Sequence, residues 1–283
     1  MNSMKDCYTL RNGVRIPCIG FGTWQTPDGD IAANSVREAI TCGYRHIDTA
    51  AVYGNEESVG RGIRESGVSR DDLFITTKVW NTDHGYEETL RAFDASMERL
   101  QLDYCDLYLI HWPAPAAIRN CWKEKNAETW RAMEKLYQEG RIRAIGLSNF
   151  WPHHIDALLE TAVIMPMVNQ IRLNPTDQHV DVASYSQKLG MLLEAYSPLG
   201  TGDVLSQPEI IRIAQKYKKS AAQVCVRWSL QMGYLPMPKS ITSERIRNNA
   251  MVFDFTLDEG DMSLLATMEN RLGPSNHPDK VNF

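Results

Sequence analysis

The chain has 283 residues, 43% of them hydrophobic and 23% charged, and a formal net charge of -5. That length and apolar content fill either two domains or one large barrel. The negative balance gives nucleic-acid binding no electrostatic support, no apolar run reaches the roughly 20 residues that cross a bilayer, and residues 1–6 lack the apolar stretch of a signal peptide.

Short apolar runs alternate with longer segments of helical period. Asn12-Gly13, between 8–10 and 14–16, predicts a small hairpin. The first apolar run follows at 18–21, then a helix at 31–41, a run at 46–47 and a helix at 57–65. Residues 71–78 return to strand pattern around an apolar run at 73–75, and a helix at 86–100 sets Leu90, Phe93, Met97 and Leu100 on one face. A run at 107–110 precedes a helix at 127–137 with Trp130, Met133, Leu136 and Tyr137 inward. Residues 141–149 form the next strand pattern, around 144–147. A helix at 154–160, a run at 167–168, a helix at 180–189 and runs at 191–193 and 234–237 complete the alternation. Gly43, Gly140 and Gly190 stand just past helices, where a left-handed residue ends the turn.

Eight strand–helix repeats predict a (β/α)₈ barrel, an α/β fold with a short N-terminal β-hairpin. No Pro/Gly/Ser-rich linker, repeat or charge block divides the chain, so residues 1–283 read as one domain. The basic cluster at 216–219 reads as a solvated helix end. The six cysteines, Cys7, Cys18, Cys42, Cys105, Cys121 and Cys225, are scattered without metal-ligand or redox-motif spacing. Cys105 and Cys225 read as small buried hydrophobes, and the set predicts a reducing, cytoplasmic setting.

In such a barrel the chemistry lies at the C-terminal ends of the strands. The residues that follow the eight runs are, in order, Gly22, Thr23 and Trp24; Asp48, Thr49 and then Tyr53; Thr76, Thr77 and Lys78; His111; Ser148 and Asn149; Asn169 and Gln170; Tyr196, Ser197 and Pro198; Lys239 and Ser240. Taken singly, each has a plain structural reading. Asp48 could cap a helix, Tyr53 could be a loop aromatic, Lys78 could serve an ion pair, and His111 could be a core histidine. Together, the four face one predicted cavity.

A tyrosine hydroxyl, whose reference pKa is about 10, becomes a usable proton donor when a cation stabilises its phenolate. Lys78 is placed to be that cation, Asp48 to hold it, and His111 to orient a carbonyl oxygen. This set polarises a carbonyl without a metal or a protein nucleophile, so the electron pair must come from a cofactor.

Three segments carry a family resemblance. The first runs Gly43-Tyr44-Arg45-His46-Ile47-Asp48-Thr49-Ala50, then Tyr53-Gly54-Asn55-Glu56 to Val59-Gly60. The second starts at Met133 and ends Arg143-Ala144-Ile145-Gly146-Leu147-Ser148-Asn149-Phe150; the third is Met237-Pro238-Lys239-Ser240 with Arg245 and Asn249. Over essentially its whole length the sequence resembles the aldo-keto reductase family, and most closely the bacterial and fungal-type reductases of small aldehydes and diketo-gluconate. The resemblance places the catalytic tetrad on Asp48, Tyr53, Lys78 and His111. It implies NADPH bound across the barrel mouth without a Rossmann domain, in agreement with the lack of a GxGxxG between strand and helix. It implies that Tyr196 stacks under the nicotinamide, that Ser148, Asn149 and Gln170 bond its carboxamide, and that Ser197, Leu199 and Gly200 line the pyrophosphate. Gly22, Thr23 and Asp48 join the cofactor site, Asp48 through the nicotinamide ribose. Lys239, Ser240 and Arg245 would grip a 2′-phosphate, and Asn249 would meet the adenine. Asn248 departs from the longer Glu or Gln usual in the family, which leaves room for some tolerance of NADH.

Trp24, Trp80 and Trp112 are expected to wall a pocket for a small-molecule carbonyl substrate. Short segments at 197–207 and 273–283 predict an open pocket. His153-His154 is not expected to bind a metal, since adjacent helical side chains diverge. No long exposed apolar stripe is apparent, so a monomer is expected, with neither nucleic acid nor membrane as partner. Two other readings fit a barrel: a Schiff-base aldolase with Lys78 as nucleophile, and a non-catalytic NADPH-binding regulatory protein.

Overall fold

The computed structural model describes residues 1–273 and 275–283; Pro274, within the tail considered above, lies outside the described residues. An antiparallel hairpin, β1 (Cys7–Thr9) and β2 (Arg15–Pro17), comes first. Eight parallel strands follow: β3 (Phe21–Gly22), β4 (His46–Asp48), β5 (Phe74–Val79), β6 (Cys105–Ile110), β7 (Ile142–Ser148), β8 (Val168–Arg172), β9 (Leu192–Tyr196) and β10 (Leu235–Met237). They pair in sequence order from β3 to β10. Gly20 N donates to Pro236 O at 3.0 Å and Gly22 N to Pro238 O at 3.2 Å, closing β3 against β10. The fold is the expected (β/α)₈ barrel.

Helices wrap it: α1 (Asp30–Thr41), α2 (Glu56–Glu65), α3 (Tyr86–Leu100), α4 (Trp122–Gln138), α5 (Pro152–Leu159), α6 (Val180–Lys188), α7 (Pro208–Tyr217), α8 (Ala221–Gln231), α9 (Ser243–Ala250) and α10 (Glu259–Ala266). The apolar period is what docks them. On α3, Phe93, Met97 and Leu100 are buried in the main core, with Leu90 packed at its edge. Gly43, Gly140 and Gly190 all take positive φ past their helices. Helix α4 begins five residues before the apolar pattern does, because its first turn is held by other means. Asn126 Nδ2 donates to Pro113 O at 2.9 Å, and the Trp122 ring packs edge-on against His154.

The strands also outrun their apolar runs. Strand β8 continues through Asn169, Gln170 and Arg172, paired with β9 as far as Arg172–Tyr196. Polar residues at the mouth still complete the ladder, since their backbone groups have no other partner. The hairpin covers the other end: Tyr8 donates its hydroxyl to Tyr234 O, just before β10. Cys105 and Cys225 are buried, and no cysteine among those described is bridged. No helix among the described residues is long and apolar enough to cross a membrane.

Candidate active site

A cavity of about 1040 Å³ opens at the C-terminal ends of the strands. Its floor is built from three strands. Asp48 ends β4, Lys78 sits one residue from the end of β5, and His111 follows β6 directly. Tyr53 arrives from the 3₁₀ turn Ala51–Tyr53, which Gly54 ends at φ 66, a conformation that suits glycine.

Lys78 is fully enclosed, and its ammonium reaches three oxygens: Asp48 Oδ1 at 2.7 Å, Thr49 O at 2.9 Å and the Tyr53 hydroxyl at 3.4 Å. Burial disfavours its charge, but Asp48 and then Tyr53 more than offset this, so the amine is held above its usual range. The balance at Tyr53 runs the other way. Burial pushes the phenol up, Lys78 opposes and Asp48 adds to the rise. The neighbouring cation therefore does not bring the phenol below its ordinary range; it limits the rise. His111 is held well below its usual range by burial, then by Lys78 and His84. Its Nδ1 is buried without a partner, and its ring meets Tyr53 edge-on at 5.7 Å between centroids.

Around this floor lie Ser148, Asn149, Gln170 and Tyr196. Asn149 is in the left-handed region, at φ 62. Its Nδ2 donates to His111 O at 3.0 Å and to Ser148 Oγ at 3.1 Å, and its Oδ1 accepts from the Tyr196 hydroxyl at 2.9 Å. These bonds hold the amide among its neighbours and leave a second acceptor site on Oδ1. Gln25 and Ser197, also on the cavity wall, share its positive φ. Non-glycine residues held there store strain and gather at sites that must be pre-shaped.

The far end is different in kind. Lys239, Ser240, Arg245, Asn248 and Asn249 line it together. Lys239 donates to Gln25 O at 3.1 Å, and partial burial lowers its pKa. Among the described residues, neither Lys239 nor Arg245 forms an ion pair with a carboxylate. Ser197 and Leu199 line the cavity between the two ends. Gly22 lines it as well, with Thr23 behind it: Thr23 is fully buried and its hydroxyl turns back to Asp48 O at 2.9 Å. Gly200 also lies behind the wall, where an added Cβ would strike Val204 at 2.2 Å.

Trp24, Trp80 and Trp112 all line the mouth, Trp24 at 46% exposure. They are joined by Val52 and by Phe283. Phe283 stacks on Trp80 at 5.9 Å and meets Trp112 edge-on at 5.2 Å, while Ala116 N donates to its carbonyl. The short tail does not leave the pocket open on this side; it supplies a wall. Nothing in the local pattern around 283 signals this, because the contact is purely tertiary.

The two histidines of α5 do not diverge as expected. Their ring centroids are 3.8 Å apart, and both reach Asp279, His154 Nε2 at 2.6 Å and His153 Nε2 at 3.1 Å. Sitting in the first turn, they lean toward the same tail segment. The cluster is shaped for a cation, but His154 Nδ1 already accepts from Trp151 N at 3.1 Å. That bond places the proton on Nε2, the atom a metal would need bare.

The barrel, with its cavity at the strand ends, is the fold of the aldo/keto reductases, and the chain belongs to that family: the family described as "Aldo/keto reductase family" matches residues 18–270. It is an NAD(P)H-dependent oxidoreductase class. The chain is 50% identical to a glyoxal reductase of Bacillus subtilis (strain 168), over 99% of both chains. Its fold is similar to a crystal structure of an aldo-keto reductase from a Medee basin deep-sea metagenome library, at TM-score 0.92 and 44% identity, covering 98% of this chain and 100% of that one. A mutant of Gox0644 crystallised in complex with NADPH matches at TM-score 0.91 and 38% identity, covering 98% and 99%.

Proposed function

We propose that this protein reduces aldehydes and ketones to alcohols with NADPH, with Tyr53 as the proton donor. The contact chain from Asp48 through Lys78 to the Tyr53 hydroxyl is the observation that carries the reading. The basic end fits the cofactor: Lys239 and Arg245 lack carboxylate partners among the described residues, and with the Ser240 hydroxyl they suit a 2′-phosphate. The tolerance allowed for NADH rests on Asn248. Ser148, Asn149, Gln170 and Tyr196 line the end of the cavity next to the floor, where the nicotinamide would lie, with the three polar side chains for its carboxamide.

When bound, NADPH supplies a hydride from nicotinamide C4 to the carbonyl carbon. The chain's residues do the rest. Tyr53 is protonated at neutral pH, as a phenol of pKa about 10 is, and burial moves it further that way, so it holds the proton that the carbonyl oxygen will take. Lys78 stabilises the phenolate left behind, and Asp48 keeps the ammonium in place. His111, neutral at this pH, donates from Nε2 and orients the carbonyl oxygen between itself and Tyr53. The aromatic wall of Trp24, Trp80, Trp112 and Phe283 keeps water from the reacting atoms. Lys78 already donates to three oxygens and so has no lone pair for a Schiff base, which disfavours the aldolase reading.

α-Oxoaldehydes such as glyoxal head the substrate class, by similarity to the B. subtilis glyoxal reductase. Steady-state NADPH oxidation with glyoxal, methylglyoxal, a keto-sugar and a quinone, repeated with NADH, tests the proposal. Oxidation is expected with the α-oxoaldehydes, faster with NADPH. NADPH binding without turnover of any of the four would favour a regulatory role instead.

A further inference from the structure

Strand β9 carries an acid that the proposed chemistry leaves unused. Glu194 stands two residues before Tyr196, so both side chains take the same face of the strand and point into the barrel. Glu194 is fully enclosed there. A carboxyl group in such a place needs partners. Its Oε2 accepts from Gln170 Nε2 at 2.7 Å. Its Oε1 is unpartnered and lies 3.9 Å from His46 Nε2. The same Gln170 Nε2 donates to Asp48 Oδ2 at 2.9 Å.

A primary amide offers two N–H donors at its nitrogen and one acceptor at its oxygen. Asp48 and Glu194 converge on the nitrogen of Gln170, so both donors are committed and the amide has only one orientation. Its oxygen is left for the cavity, which Gln170 lines. Removing Glu194 would free one N–H and leave Asp48 as the sole anchor. Rotation about the terminal torsion, which is soft and roughly two-fold, would then be released.

We propose that Glu194 is a positioning residue that pins the Gln170 amide so that its carbonyl oxygen receives an N–H of the nicotinamide carboxamide. The inference rests on the NADPH reading above. Glu194 acts through Gln170 and touches no reacting atom. The ionisable groups around it are His46 and Asp48 on β4 and Lys78 on β5; β10 contributes none. Burial, then the charge on Asp48, pushes the Glu194 carboxyl up to about 8, against Gln170 and Lys78. At neutral pH the group is therefore largely uncharged, which avoids a second anion beside Asp48.

The test compares equilibrium binding of NADPH with that of its reduced 3-acetylpyridine analogue, in which a methyl replaces the carboxamide NH₂. Wild type should prefer NADPH about tenfold, the worth of one hydrogen bond. Glu194→Gln keeps an acceptor for Gln170 and should keep that preference. Glu194→Leu should reduce it to below about threefold, with the remaining affinity carried by the phosphate end. A Glu194→Leu protein that retains the tenfold preference overturns the assignment while leaving the cofactor reading intact. Failure of wild type to bind NADPH overturns both. Should Glu194→Leu not fold, the side-chain amide of Gln170, followed by ¹⁵N NMR, decides. Its signal should move between wild type and Glu194→Gln, because the group accepting from Gln170 Nε2 changes; a signal that is the same in both refutes the contact.

Discussion

The two ends of the cavity solve opposite electrostatic problems. At the floor every charge is already matched: Lys78 is enclosed and bound to Asp48, Asp48 takes Gln170 on its other oxygen, and His111 is neutral. At the far end Lys239 and Arg245 face the cavity with no carboxylate beside them among the described residues. A matched, buried set costs no reorganisation when a carbonyl arrives. An unmatched, solvent-facing pair keeps its attraction for a ligand's anion. The first arrangement suits chemistry and the second suits capture, so the two should fail separately when broken.

The largest separation is expected at Tyr53. Tyr53→Phe should lower turnover of glyoxal by about a thousandfold, the scale of a lost general acid, while the NADPH Kd stays within about twofold; a turnover assay beside a binding titration reads both. Lys78→Met comes next. It strands the Asp48 carboxylate, and breaking a buried pair costs about 3 kcal/mol or more, so urea unfolding should show the loss along with the fall in turnover. At the other end, Arg245→Ala and Lys239→Ala should each weaken NADPH about tenfold, the worth of a charge-assisted bond. NADH affinity should hardly move, and the NADPH effect should shrink as salt rises.

The smallest effect concerns the shared scaffold. Burial holds His46 down to about 3, and His84 and His154 to about 4, below the ordinary value of about 6.5. The unfolded chain therefore binds more protons than the folded one between those values, and stability falls as pH falls through that window. Glu194, raised by burial, opposes this with a single group. The Tm should accordingly drop by several degrees from pH 7 to pH 5, as measured by calorimetry.

The floor was legible in the sequence because each of its members follows an apolar strand, and strand order brings such residues to one rim. Asp48, Tyr53, Lys78 and His111 all came from the residues that follow the eight runs, and the family resemblance then fell on the same four; Tyr53 was the weakest taken singly, since it lies in a turn beyond β4. Other features were not local. Glu194 followed the apolar run at 191–193 and carried a usable signal, its two-residue spacing from Tyr196 on one strand face. Phe283 reaches the pocket only through the path of the tail. The shared partner of His153 and His154 is Asp279, more than a hundred residues away, and no helical rule speaks to it. The turned-in amide of Asn149 depends on a left-handed backbone that residue type alone does not announce.

The separation of chemistry from capture is tested most directly by measuring single-turnover rate and NADPH Kd side by side in Tyr53→Phe and Arg245→Ala. A crossed pattern is expected: the first variant loses rate and keeps affinity, the second loses affinity and keeps its rate at saturating NADPH. Rate and affinity falling together in either variant would contradict the account.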